Sequence, residues 1–328
     1  MGDRLPTAYF SRIHSANQTA LRMLDSVRAC MKELMYLRWT KFYGKAKVWI
    51  LLSPALALVL FLFIGGLGFG IAESLNYMPI IGLDDPNLDA YRSIFNDKAF
   101  YRSLLLTLHV AITPTLLAVI GALAFGLVLR QSFRGKRFFT FLFSFNLPIP
   151  HVVGAIGILF LFSQSGFFAR IGHALGWVDM PSDFPILVND PYAIGIIFEY
   201  VWKETPFIGV IVLAILQSIG EDYEAVAQTL GANRWQRFRY VLLPLVLPGV
   251  LIVSVAVMAF FFGDFVIPTI LGQTYPTVLA VEAVKDYTHY DLRNHPIGVA
   301  QALVIAVLGT MLVFVYMYLN RKFIRSDK

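Results

Sequence analysis

Three ionisable residues share one apolar stretch. The segment "FEYVWKETPF" places Glu199, Lys203 and Glu204 near the middle of an apolar run at 191–218, and "FFFGDFVIPTILG" adds Asp264 to the next such run, 244–271. A lone charge at the centre of a bilayer helix costs about 2.5–3.5 kcal/mol on insertion scales, so charges kept there point to a pairing network or a solute path. Glu199 and Lys203 stand four apart in the order that favours pairing along a helix, which would offset part of that cost. Asp264 lies about six residues beyond the middle of its run, roughly 9 Å at the helical rise, and Glu199 sits at a comparable level. The residues thus support two readings. In one, Glu199, Lys203 and Asp264 line a translocation path that favours a cationic solute; in the other, they form a buried ion-pair network that holds helices together. Hydrolytic chemistry is not expected. The chain has no G-x-x-x-x-G-K-[ST], H-E-x-x-H or G-x-S-x-G, its six histidines are scattered, and no metal-ligand set stands out. If ATP is used, another chain must bind it.

The elements that carry these residues are membrane helices. Of 328 residues 57% are apolar and 15% charged, against a charged share of about 25% in soluble domains. Six apolar runs reach the roughly 20 residues a bilayer crossing needs: 48–72, 103–129, 138–163, 191–218, 244–271 and 296–319. An even number of crossings puts both termini on one side. With that side cytoplasmic, the inner segments hold 20 Lys and Arg and the outer ones six, which satisfies the positive-inside rule. The outer segments are correspondingly acidic, so the net charge of +6 reports topology and calls for no nucleic-acid partner. The expected fold class is an all-α membrane protein of six transmembrane helices with N and C termini in the cytoplasm.

Residues 1–47 form a cytoplasmic extension, and "ALRMLDSVRACMKELMYLRW" within it has apolar residues at helical spacing among basic ones. That suits an amphipathic helix on the membrane surface or on a partner's cytoplasmic face. It precedes the first apolar run and lacks a short apolar region with a cleavage site, so the first span is read as a retained anchor. The single cysteine, Cys30, leaves no intrachain disulfide. "FIGGLGFG" in span one is embedded in apolar residues, with no strand before it and no Lys or Ser/Thr after it; it reads as close helix packing rather than a phosphate loop. "NLPIPHVVG" in span three either interrupts the helix or marks its entry. Outer loops carry two helix candidates, "LDAYRSIFND" and the segment starting at Phe167.

Between spans four and five lies "EDYEAVAQTLGANRWQRFRYVLLP". Glu221, Asp222 and Glu224 suit the first turn of a helix, Gly231 its stop, and Ala225, Val226 and Ala227 offer a surface a partner can approach closely. A second helix is expected from Asn233 to Leu243, with Trp235, Phe238 and Leu242 on one side and Arg234, Arg237 and Arg239 over the rest. A short helix stiffly joined to two spans moves them when it moves; a solvated helical loop is the alternative.

The stretch "EAVAQTLGANRWQRFRYVLLPLVLPG" resembles the signature loop of permease subunits in bacterial binding-protein-dependent type I ABC importers: E-A-A, three residues, Gly-Ala, then an aromatic and Leu-Pro. Here these are Gly231–Ala232, Phe238 and Leu243–Pro244, while the position six before the glycine, ordinarily Glu, is Ala225, and Glu224 stands one residue early. One residue is a rotation of about 100 degrees, so Glu224 does not simply replace the missing side chain. The resemblance covers roughly residues 100–320 and implies a multi-pass permease domain, 48–328, in a bacterial inner membrane. It implies a homodimer or heterodimer of permeases, an external solute-binding protein, and an ATPase pair holding ATP and Mg. The loop 219–243 then docks on the ATPase, with Glu221, Asp222, Glu224, Ala225, Ala227, Gly231, Ala232 and Arg234 as coupling residues. "GDFVIPTILG" is similar to the spermidine/putrescine class, which makes a polyamine or related cation the expected cargo, whereas "VWKETPFIGVIVLAILQSI" leans toward sugar permeases. Sugar, thiamine, phosphonate and ferric iron stay open as cargo. A self-sufficient secondary transporter and a membrane-embedded enzyme are the alternatives of other classes.

Overall fold

The computed structural model describes residues 31–32, 47–130, 133–219 and 222–325, with side chains as far as 318. The chain divides into two units, Met1–Phe69 and Gly70–Lys328. Apart from Met31 and Lys32, which are helical, the amphipathic helix expected in the N-terminal extension falls outside the described residues. From Lys47 the chain enters α1 (Lys47–Ser74), the first membrane-length helix.

Within the second unit the order is α2 (Asp89–Asn96), α3 (Lys98–Arg130), α4 (Lys136–Ser144), α5 (His151–Phe162), α6 (Phe167–Ala174), α7 (Ile194–Ile219), α8 (Asp222–Thr229), α9 (Arg234–Arg237), α10 (Leu243–Gly263), α11 (Val266–Leu271), α12 (Leu279–Tyr287) and α13 (His295–Arg325). No strand forms among the described residues beyond one isolated bridge, Met78 to Leu83. Among the described residues five stretches are long and apolar enough to cross a membrane: Lys47–Ser74, Lys98–Arg130, His151–Ala174, Arg234–Gly263 and Leu292–Tyr318. The other expected span is α7, whose 26 residues extend about 39 Å. That exceeds the roughly 30 Å of a hydrocarbon core, although α7 carries Glu199, Lys203 and Glu204.

Two of the expected spans are broken. The run 138–163 is α4 and α5, separated where Pro148 and Pro150 deny the backbone its helical donors. The run 244–271 is α10 and α11, separated at Asp264, whose ψ of 130° is extended.

The centre of the unit is the seam between α3 and α7. Ala111, Ala118 and Ala122 on α3 are wholly buried, as are Ile208 and Val212 on α7. At Gly126 a Cβ would come within 2.6 Å of Val212 Cγ1, and at Gly121 within 2.9 Å of Thr205 Cγ2. Lipid is as apolar as the side chains, so membrane helices gain chiefly by close van der Waals approach, and small residues permit it. α10 packs on α3, α7 and α13, and Ser254 and Tyr316 hydrogen-bond across the α10–α13 contact at 2.7 Å. On the outer side, the expected helices appear as α2 and α6, and α12 lies on α13.

Candidate functional site

Pro206 sits inside α7. Without an N–H it cannot bond to the carbonyl four residues back, that of Trp202. Asn146, in the break of span three, fills the gap: its Nδ2 donates to Trp202 O at 2.5 Å. The tie is returned by Lys203, whose Nζ donates to the carbonyls of Asn146 at 2.5 Å and Leu147 at 3.1 Å, and also to that of Ile149. An interrupted helix leaves carbonyls without partners, and at membrane depth protein must supply the donors. Lys203 therefore does not pair with Glu199 as its spacing suggests. It is 7% exposed and spends its charge on the broken backbone beside it.

Glu199, with no exposed surface, turns to His151 at the start of α5. The imidazole spans two carboxylates, with Nδ1 at 3.1 Å from Glu199 Oε1 and Nε2 at 3.4 Å from Glu204 Oε1. Gly154, one turn along α5, lets the helices close: a Cβ there would stand 3.2 Å from Glu199 Oε1 and 3.0 Å from Trp202. Asp264 meets α7 one residue from Glu199, so the two acids do lie at a common level. Tyr200 donates its hydroxyl to Asp264 Oδ2 at 2.7 Å while stacking on Phe261 with centroids 3.8 Å apart. The other carboxylate oxygen, Oδ1, accepts from Val266 N at 2.9 Å and starts α11. Of these residues only Glu199, Lys203 and Asp264 were expected at the site. His151, Asn146 and Tyr200 were not; the first two flank the "LPIP" whose freed backbone groups had to be met.

The cytoplasmic loop begins with α8. Glu221 lies outside the described residues. Gly231 has φ +81°, its N–H bonds to Gln228 O at 3.0 Å and that of Ala232 to Ala227 O at 3.0 Å. This is the paired termination in which glycine takes the left-handed position. Asn233 then caps α9, accepting from Gln236 N at 2.9 Å while Gln236 Oε1 accepts from Asn233 N at 2.8 Å. The separate second helix expected from Asn233 to Leu243 is instead continuous with span five. Arg234–Arg237 passes through a wide turn, Phe238–Leu242, in which Leu243 N–H reaches back five residues to Phe238 O. Pro244 follows directly and has no donor for Tyr240 O, which suits a widened turn there. Leu242 is buried, Phe238 half-buried, and Trp235 exposed. Of the coupling residues, Asp222, Ala225, Gly231 and Arg234 are exposed, while Glu224, Ala227 and Ala232 are half-buried. Glu224 Oε2 accepts from Arg130 Nη1 at 2.8 Å.

A cavity of about 350 Å³ opens elsewhere, on the α6 hairpin, among Gln164, Arg170, His173 and Asp179. None of the intramembrane charged residues lines it. Its groups are in part spent locally, His173 Nδ1 on Val178 O and Arg170 Nε on Ser165 O.

Residues 115–325 match the family described as "Binding-protein-dependent transport system inner membrane component". The chain belongs to that family. This inner-membrane permease is 25% identical over 297 residues to the trehalose/maltose transport system permease protein MalF of Thermococcus litoralis, covering 85% of this chain and 95% of the relative. It is 26% identical to the trehalose transport system permease protein SugB of Mycobacterium tuberculosis, over 71% of this chain and 77% of that one. It is 27% identical to the sulfate transport system permease protein CysT of Escherichia coli, over 69% and 77%. A bacterial ABC transporter involved in the import of the acidic polysaccharide alginate has the same fold, with a TM-score of 0.71 at 19% identity, over 87% of this chain and 98% of that one. The expected type I importer fold and multi-pass inner-membrane location therefore hold, and the permease is a subunit of an ABC importer rather than a self-sufficient secondary transporter. These relatives are sugar and sulfate permeases, which leaves the likeness to the spermidine/putrescine class without their support.

Proposed function

We propose that this permease forms half of the translocation path for a neutral carbohydrate in an importer driven by a separate ATPase pair and fed by an external solute-binding protein. The observation that carries the cargo is the state of the intramembrane charges. A cationic solute was the expectation because Glu199 and Asp264 seemed available, yet Glu199 is enclosed against His151, and Asp264 accepts from Tyr200 and Val266. Lys203 is likewise hydrogen-bonded to three carbonyls, so each of the charges expected on the path is engaged by protein groups rather than held open for a solute. The named trehalose and maltose relatives support a neutral sugar, while the transporter of the same fold with an alginate pentasaccharide-bound periplasmic protein, an acidic polysaccharide, supports carbohydrate as the class but not its neutrality. In this reading Glu199, Lys203 and Asp264 serve the path as fasteners of its walls.

Uptake tests the cargo. Cells lacking this permease, with and without the gene restored, are given labelled trehalose or maltose, sulfate and putrescine. Gene-dependent sugar uptake supports the proposal, and gene-dependent uptake of putrescine or sulfate alone overturns it. Copurification of an ATPase and a second permease tests the assembly.

A further inference from the structure

The coupling helix α8 has two faces. Tyr223, Val226 and Leu230 follow one another at helical spacing and are 59%, 61% and 82% exposed. Glu224 and Ala227 are turned toward the rest of the permease. The acid expected at 225 stands at 224, and the rotation of about 100 degrees that this implies carries it off the outward face. It arrives at Arg130, the last residue of α3, with a 2.8 Å ion pair between side chains 13% and 28% exposed. A charge-assisted bond in so sheltered a place is less screened than a surface pair and holds a defined geometry.

We infer that Glu224 is a positioning residue that locks the coupling helix to the cytoplasmic end of α3, rather than a contact to the ATPase. The inference rests on the proposed function in one respect, that an ATPase drives this loop. α8 is joined along the chain to α7 on one side and to α9 and span five on the other, where Gln228 Oε1 accepts from Arg237 Nη1 at 3.2 Å. The ion pair at Arg130 ties it to a third helix, α3. α3 and α7 are themselves packed without slack, since Gly121 and Gly126 have no room for even a methyl group against Thr205 and Val212. A displacement of α8 is thus delivered to α3 and α7 as one body, and the outward stripe Tyr223–Val226–Leu230 is left to meet the partner.

The test uses the assembled importer in proteoliposomes, with Glu224→Gln, Arg130→Gln, both together, and the exchange Arg130→Glu with Glu224→Arg. ATPase copurification and solute moved per ATP hydrolysed are read for each. The expected result is full ATPase retention throughout and a drop of about tenfold or more in solute per ATP for each single variant, the size of loss that removing one charge-assisted bond produces. The double variant adds nothing to Arg130→Gln, and the exchange restores coupling. Loss of the ATPase from Glu224→Gln but not from Arg130→Gln overturns the inference, because Glu224 would then touch the ATPase. Additive losses, or single variants that couple like the wild type, overturn it as well. A wild-type permease that carries no ATPase brings down the driving reading itself, so the two failures are distinguishable.

Discussion

Asn146→Leu tests the argument that Pro206 created the need for Asn146. Asn146 is 2% exposed, and its Nδ2 is the donor for the Trp202 carbonyl that Pro206 cannot serve. Leucine has the same number of side-chain heavy atoms and the same branching but no donor, so the carbonyl is left buried and unsatisfied, at a cost of about 1–3 kcal/mol. Part of that returns, because Asn146 Oδ1 is itself buried with no hydrogen-bond partner among the described residues and its removal ends that penalty. The net loss is about 1–2 kcal/mol, a fall of roughly 1.5–3 °C in the unfolding midpoint for a chain of this size. Pro206→Ala restores an N–H within α7. A carbonyl oxygen has two lone pairs and can accept from both donors, so Pro206→Ala alone is close to neutral. In the Asn146→Leu background it replaces the missing donor and recovers most of the loss. Thermal unfolding of the four proteins in one detergent gives the cycle, with an expected interaction energy of about 1 kcal/mol. If Asn146→Leu costs the same with Pro206 and with alanine there, the two sites are independent and the reasoning fails.

Gly231→Val is expected to keep the fold and depress solute moved per ATP severalfold, because φ +81° strains a β-branched residue although a Cβ there meets nothing within 4 Å; coupled transport at wild-type efficiency counts against α8 as the lever. Ala225→Glu adds an acid on an exposed position of α8 and should leave the unfolding midpoint within 1 °C or so of wild type, as surface substitutions do. Gly126→Val forces side-chain atoms into Val212 at the α3–α7 seam and should cost about 1–3 kcal/mol, read as lost thermal stability and lower yield of folded protein. Burial raises the Glu282 carboxyl above its ordinary value, as it does that of Asp286. A raised folded value means stability is fullest below the unfolded value and declines as pH climbs through the folded one. Glu282→Gln should therefore raise the unfolding midpoint at pH 7.5 and give no gain at pH 4; a gain of equal size at both pH values would show that the charge is not the cause.

What the sequence disclosed followed from how local each signal is. Span number and loop placement come from apolar length and basic residues, and "TLGAN" announced its own turn because a glycine stop is a property of five consecutive residues. Gly231, Asn233 and the helix before them are therefore where the spacing put them, while the helix after them runs on into span five. The break in span three was half legible: two prolines make an interruption, but they do not say which donors will satisfy the exposed carbonyls. Those donors are Lys203 and, for α7, Asn146, more than 50 residues away in sequence. The same distance explains the error over Glu199 and Lys203. A spacing of four makes them neighbours on a helix, yet each has a better partner across a helix interface, and tertiary partners outweigh a pair worth a few tenths of a kcal/mol. Arg130 gave no signal at all, since a basic residue at the cytoplasmic end of a span is what the positive-inside rule supplies in any case.

The placement of these fasteners on a single helix bears on how movement reaches the path. α7 holds both broken spans on its outer half, span three through Lys203, Trp202 and Glu199, and span five through Tyr200 and Asp264. Its inner half is packed against α3 by Val212 and Leu216, and α8 begins within three residues of its end. α7 transmits displacement along its axis because its backbone ladder is interrupted at Pro206 alone, where Asn146 bonds the Trp202 carbonyl, whereas the segments at 145–150 and 264–265 have no helical ladder to resist a change in backbone angle. Under the proposed function, a push on α8 is therefore absorbed at the two breaks and not within α7. The breaks are bonded to α7 at one level, so they must respond together. Loosening either fastener, by Lys203→Met or Tyr200→Phe, should then impair transport without displacing the ATPase, since neither residue is near the loop that receives it. Solute uptake and ATPase copurification on the same preparations separate these outcomes. Loss of the ATPase from either variant would mean that the outer half of α7 and the loop are folded as one piece, and the division between lever and hinge drawn here would not stand.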